Sequence, residues 1–191
     1  MTRFLTVILT AAALFGGTGL AMADQEFNPI AQLFGLGSGG SGGAGPVPRT
    51  TVSFQGNYAP GTIIVDTKER RLYLVQEGGR ALRYGIGVGR DGFRWGGTHR
   101  ITAKKEWPSW TPPSQMLRRR PDLPRHMVGG PDNPLGARAM YLGSTLYRIH
   151  GSNEPETIGQ AVSSGCFRMV NDDVIDLYNR VQVGATVIVK N

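Results

Sequence analysis

One cysteine, Cys166, and three histidines, His99, His126 and His150, are the side chains in this 191-residue sequence that could supply a nucleophile and its base. Cys166 sits in Ser163-Ser164-Gly165-Cys166-Phe167-Arg168. A single Cys rules out a disulfide framework and a C-x-x-C redox or metal motif. The thiol is then either a small buried hydrophobe or a reactive group. Its neighbours favour reactivity. Gly165 permits a tight turn that aims a side chain outward and frees the backbone N–H groups of Ser164, Gly165 and Cys166 as an oxyanion hole. Arg168 and a helix start near Asn171 add positive potential, which favours a thiolate.

A thiol nucleophile needs a base. His150 ends a strand-like run, Leu146 to His150, in which Tyr147 and Ile149 share one face and Arg148 and His150 the other. His150 therefore points away from the core, and the loop opened by Gly151 and Ser152 returns to Cys166 sixteen residues later. His99 and His126 read better as surface or hydrogen-bonded core residues. A metal site built from His126, His150 and Cys166 lacks short ligand spacing and a carboxylate pattern, so no metal or other cofactor is expected.

The elements that must position these residues read mostly as strands. Ile63 to Val65 and Leu72 to Val75 are apolar on both faces, as inside a sandwich. Leu82, Tyr84, Ile86 and Val88 alternate with Arg83, Gly85, Gly87 and Gly89, so one face is core and the other nearly bare backbone. Bare backbone on a strand implies close approach of another segment or a ligand. Further strands are expected around 100–104, 145–150 and 186–190. One helix is predicted near 172–182, capped by Asn171 or Asp172, with Val174, Ile175, Leu177, Tyr178 and Val181 as its apolar stripe and Gly184 beyond its end. The class is mainly β, a two-sheet sandwich with one or two short helices.

Outside this domain the sequence changes character. A short basic start at Arg3, an apolar run from Phe4 to about Leu20 and Ala21-Met22-Ala23 together read as a signal peptide over 1–23. Residues 24–50 include GLGSGGSGGAGPVP and are expected to be a flexible Gly/Ser/Pro linker. Ten of the 28 Gly precede residue 51, and the other 18 still make 51–191 a turn-rich domain. The net charge of +7 and the Arg118-Arg119-Arg120 stretch would suit nucleic acid in a cytoplasmic protein. Behind a signal peptide no nucleic acid partner is expected, and an anionic envelope surface or a merely solvated charge run fits instead. Membrane contact is expected only through the signal peptide before cleavage.

Arg148-Ile149-His150-Gly151-Ser152 followed by Ser163-Ser164-Gly165-Cys166-Phe167-Arg168-Met169 closely resembles the signature of L,D-transpeptidase (YkuD-type) catalytic domains. Gly129-Gly130-Pro131-Asp132-Asn133-Pro134-Leu135-Gly136 and Ala139-Met140-Tyr141-Leu142-Gly143 match the segment that precedes it in many members. The resemblance covers most of 60–190. It implies a β-sandwich-like fold of mixed sheets, secretion across the inner membrane to the periplasm or cell wall, and peptidoglycan stem peptides as substrate. It makes Cys166 the nucleophile and His150 its base, with the Gly151 carbonyl orienting the imidazole. The thiolate would attack the carbonyl of the third stem residue, normally diaminopimelate, and release D-Ala. Another stem, an envelope protein lysine or water would resolve the acyl-enzyme, giving a 3-3 crosslink, an anchored protein or carboxypeptidation. Carbapenems would add to Cys166.

Two departures from the family pattern matter. Ser164 stands where many members have His, which removes a rival base. Arg168 replaces an Asn found in others, and is expected either to hold a substrate carboxylate or to pair with Asp172 or Asp173. Tyr141, Trp107 and Trp110 are candidate walls of the substrate site, although packing over a sheet edge would also explain the two Trp. A sortase-like cysteine transpeptidase should carry T-L-x-T-C and a downstream catalytic Arg, and neither is present. A non-catalytic peptidoglycan-binding module is the remaining alternative.

Overall fold

The computed structural model describes residues 46–191; the expected signal peptide and most of the expected linker lie outside the described residues. Strands β1 (Thr50–Ser53), β2 (Ile63–Asp66), β3 (Arg71–Gln76), β4 (Arg80–Gly85), β5 (Val88–Gly89) and β6 (Gly97–Glu106) come first. Helix α1 (Ser114–Arg119) precedes β7 (Arg138–Leu142), β8 (Arg148–His150), a 3-10 turn (Pro155–Thr157), β9 (Ala161–Ser163) and β10 (Phe167–Arg168). Helix α2 (Asn171–Arg180) and β11 (Thr186–Lys190) follow.

Nine strands make one sheet in the order β1-β4-β3-β2-β11-β6-β7-β8-β10, and β5 pairs with β9. Parallel pairs of β11 with β2 and of β10 with β8 among antiparallel neighbours make the sheet mixed, as expected. The long strand β6 is its joint. Its first residues pair with β11 and its last with β7, with a register slip between Ile101 and Ala103. Such a bulge bends a strand and lets it serve two halves of a sheet. The halves share one core, with Ile63, Leu72 and Tyr84 from one side and Met140, Ile149 and Phe167 from the other. Val174 and Leu177 of α2 pack into the same core. Each such side chain contributes about 1.5–3 kcal/mol on burial.

The predicted helix is present, but its expected cap is not. Val170 is the N-cap and makes no side-chain cap bond. Asn171 turns its Oδ1 instead to the Ala137 N–H at 2.9 Å, tying the helix to the start of β7. At the other end Lys104 donates to the carbonyls of Tyr178 (2.6 Å) and Val181 (2.7 Å), where a cation complements the helix dipole.

The bare face of the β4–β5 segment is covered by the chain itself. A Cβ on Gly85 would meet Val47 at 2.5 Å, and one on Gly87 the Thr157 carbonyl at 3.1 Å. On Gly89 it would meet the Phe93 carbonyl at 2.5 Å and Gly165 Cα at 3.3 Å. The folded unit also begins earlier than residue 51. Thr50 opens β1, Val47 packs on Gly85, and Arg49 Nη1 lies 3.4 Å from Asp173 and 3.2 Å from Asp176.

The Asp173 side chain is 1 % exposed, and burial pushes its carboxyl up to about 6, opposed by Arg49 and reinforced by Asp176 and Asp172. The folded state thus holds a proton that the unfolded chain releases near pH 4. Relative to Asp173→Asn, the wild type should lose up to roughly 3 kcal/mol of stability as pH rises from about 4 to 6. Urea unfolding of both proteins across that window checks this; parallel pH profiles would contradict it.

Candidate active site

Strands β8 and β10 run parallel with Ile149 opposite Phe167 and His150 opposite Arg168. Paired residues point to the same side, and alternate residues to opposite sides. Ile149 and Phe167 therefore enter the core, at 0 % and 1 % exposure. Arg148, His150, Cys166 and Arg168 share the other face and line one cleft of about 980 Å³. The edge strand β10 is held on its far side by reciprocal bonds with Gly87, each 2.9 Å.

His150 is buried at 4 % exposure, with Nδ1 2.6 Å from the Gly151 carbonyl. A carbonyl only accepts, so Nδ1 carries the proton and Nε2 is left as an acceptor. Burial, then the Arg168 and Arg148 charges, lower the imidazole to about 3, opposed by the Gly151 bond. His150 is neutral at pH 7. The Gly151 peptide is itself held, by its N–H on the Arg138 carbonyl at 3.0 Å and by tight packing on Asn171 Oδ1, which any Cβ at Gly136 or Gly151 would strike.

Cys166 is half-buried, and its Sγ–H makes a long contact, 3.9 Å, to the Leu146 carbonyl. Burial pushes the thiol up, while the Arg148 charge, hydrogen bonds from Arg148 and the Arg168 charge pull it down. The positive potential expected from the sequence is thus opposed by burial, and both shifts favour thiol and neutral imidazole over thiolate and imidazolium.

The turn before Cys166 is pinned at consecutive peptides. Ser163 Oγ accepts from the Gly165 N–H at 3.1 Å and donates to the Cys166 carbonyl at 2.6 Å. Trp95 Nε1 donates to the Gly165 carbonyl at 2.6 Å. Gly165 has φ +109°, and a Cβ there would collide with the Tyr147 ring. Of the three N–H groups expected to form an oxyanion hole, that of Gly165 is therefore engaged by Ser163. Those of Ser164 and Cys166 meet no protein acceptor among the described residues.

The substrate-side expectations divide. Arg168 lines the cleft but pairs with Glu154 at 2.8 Å rather than with Asp172 or Asp173, because it lies on the outer face of β10 while Asp173 is buried against Arg49. Trp110 lines the cleft at the neck of a flap closed by reciprocal 2.8 Å bonds with Met127. This flap holds α1, and Arg119 and Arg120 from the basic stretch also line the cleft. Trp107 and Tyr141 are not among the lining residues. Trp107 is 45 % exposed at φ +38°, and the Tyr141 ring is taken up by Lys105 (5.7 Å) and Arg148 (5.2 Å). His126 bonds Thr111 and His99 packs edge-on to Trp95, both away from the cleft lining. Among the described residues no three His, Cys, Asp or Glu side chains gather to hold a metal ion. The sequence reading passed over Ser163, Arg148 and Trp95. A hydroxyl two residues before a Gly turn is a local signal for the first; Trp95 acts across 70 residues and leaves none.

Compared with known proteins, residues 60–189 match the L,D-transpeptidase catalytic domain model, YkuD. The probable L,D-transpeptidase ErfK/SrfK of Escherichia coli K12 is 39 % identical over 134 residues, 65 % of this chain and 42 % of that protein. The chain thus spans under half the length of that relative. A solved structure from Brucella melitensis, described as a probable carnitine operon oxidoreductase, is 50 % identical with a TM-score of 0.50, covering 72 % of this chain and 89 % of that one. An L,D-transpeptidase from Mycobacterium smegmatis shares the fold at a TM-score of 0.54 and 18 % identity, over 68 % of this chain and 58 % of that one. By the match that spans most of its length, this chain belongs to the L,D-transpeptidase (YkuD) family.

Proposed function

We propose that this chain is a peptidoglycan L,D-transpeptidase of the periplasm or cell wall, exported by a signal peptide cleaved after Ala23, with Cys166 as nucleophile and His150 as base. The observation that carries the reading is the shared face of β8 and β10, which turns an Nε2 acceptor and a thiol into the same cleft. As Sγ attacks the carbonyl of the third stem residue, its proton passes to His150 Nε2 and the C–O π pair moves onto oxygen. The Cys166 and Ser164 N–H groups receive that oxyanion. Collapse breaks the C–N bond, and D-Ala leaves with the proton from His150. An amine from a second stem or an envelope protein, or water, then gives its proton to His150 and displaces the thiol.

The neutral ground state suits this cycle. A thiol and an imidazole that exchange one proton only during attack avoid holding a desolvated ion pair at rest. Arg168 can receive a stem carboxylate through guanidinium N–H groups not engaged by Glu154. Arg119, Arg120 and Arg148 along the same cleft also suit an anionic stem peptide.

The test is D-Ala release from tetrapeptide muropeptides, followed by mass spectrometry of the products. Cys166→Ala should abolish release while remaining folded, and His150→Ala should slow it by about 10²–10⁴-fold. Release by Cys166→Ala would overturn the mechanism. Muropeptide binding by a wild type that releases nothing would instead favour a wall-binding module. Because burial raises Cys166 and lowers His150, alkylation of the thiol should climb with pH into the alkaline range. A rate independent of pH between about 5 and 7 would reveal a resting thiolate–imidazolium pair and contradict the neutral assignment.

A further inference from the structure

Trp95 belongs to neither strand of the catalytic pair, yet it touches the nucleophile's turn in two ways. Its indole N–H donates to the Gly165 carbonyl at 2.6 Å. Its ring stacks on Tyr147 at 4.3 Å and 6°, and Tyr147 is the ring that any Cβ at Gly165 would strike. Phe167 also packs on it, 5.2 Å from the indole at 31°, and His99 meets it edge-on at 4.9 Å. The indole is thus packed among the Tyr147, Phe167 and His99 rings, one of them next to Cys166 in sequence.

The Gly165 carbonyl and the Cys166 N–H belong to one planar peptide and, in a trans bond, point in opposite directions. Fixing and polarising the oxygen therefore aims the N–H and strengthens its donation, since hydrogen bonds in a chain reinforce one another. The flanking peptides are fixed separately by Ser163, through the Gly165 N–H and the Cys166 carbonyl. Trp95 supplies the hold that Ser163 does not. We propose that Trp95 is a positioning residue for acyl transfer, which sets the Gly165–Cys166 peptide so that the Cys166 N–H meets the oxyanion. This rests on Cys166 being the nucleophile proposed above.

The two roles a Trp could play here separate in a pair of reactions. Acylation of Cys166 by p-nitrophenyl acetate forms the S–C bond, sends the thiol proton to His150, builds an oxyanion and expels p-nitrophenolate. Alkylation by iodoacetamide forms an S–C bond and expels iodide with no oxyanion. Trp95→Phe keeps a stacked ring and loses the donor. It should slow acylation by about 10–100-fold, part of the 10²–10³ that loss of an oxyanion donor costs, and leave the rate and pH profile of alkylation unchanged. Tyr147→Phe, which keeps its stacked ring, should leave both rates alone. Should Trp95→Phe fold poorly, benzothienylalanine at position 95 keeps the shape without the N–H and should show the same split. Wild-type acylation rates in both replacements, or equal losses in the two reactions, would overturn the proposal. Because the ester acylates a reactive thiol whatever its physiological substrate, failure of the stem-peptide reading would appear only with muropeptides.

Discussion

Two residues of parallel pairing, Ile149 with Phe167 and His150 with Arg168, fix the geometry on which the site depends. A register shift of one residue would turn the Cys166 face toward the core and bring Phe167 out. The apolar partners prevent this. Phe167 is fully buried beside Ile149, so a slip of β10 would expose it and cost about 1.5–3 kcal/mol. The same hydrophobic burial that stabilises the sheet edge therefore also holds thiol and imidazole on one face. The pairing is short, and its neighbours compensate. Strand β7 pairs with β8 on one side, and Gly87 bonds Arg168 on the other.

Around this pair the backbone performs tasks that side chains perform in the triads of serine proteases. The Gly151 carbonyl, not a carboxylate, holds Nδ1, so the imidazole is oriented without a buried negative charge to stabilise imidazolium. Arg168 and Arg148 act in the same direction by disfavouring a second positive charge at His150. Under the proposed mechanism the proton would then move only when sulfur attacks. The same arrangement also explains why glycines cluster here, since Asn171 packs where a Cβ on Gly136 or Gly151 would lie and Tyr147 where one on Gly165 would lie.

Much of this was legible in local sequence pattern. Alternation of Tyr147 and Ile149 with Arg148 and His150 gives the facing of β8, and the bare Gly85, Gly87 and Gly89 face announces the close approach of Val47, Thr157 and Phe93. The core strands and α2 follow from apolar periodicity, while the mixed pairing is what the family resemblance implied. What was not legible depends on long-range contact. Asn171 reads as a helix cap in sequence but bonds Ala137, 34 residues away. Arg168 pairs with Glu154 across the loop, while the nearer Asp173 is taken by Arg49 from a segment read as linker. Trp107 and Tyr141, expected as cleft walls from the family resemblance, are not among the lining residues: Trp107 is largely exposed and the Tyr141 ring lies against Lys105 and Arg148.

The central claim is covalent: sulfur of Cys166 becomes bonded to the third stem residue. Rapid quenching of the protein with a tetrapeptide muropeptide, followed by peptide mapping by mass spectrometry, observes that bond directly. The account predicts an adduct on the peptide containing Cys166, equal in mass to the muropeptide less D-Ala. Turnover with an adduct on another residue, or with none at any quench time, would contradict it.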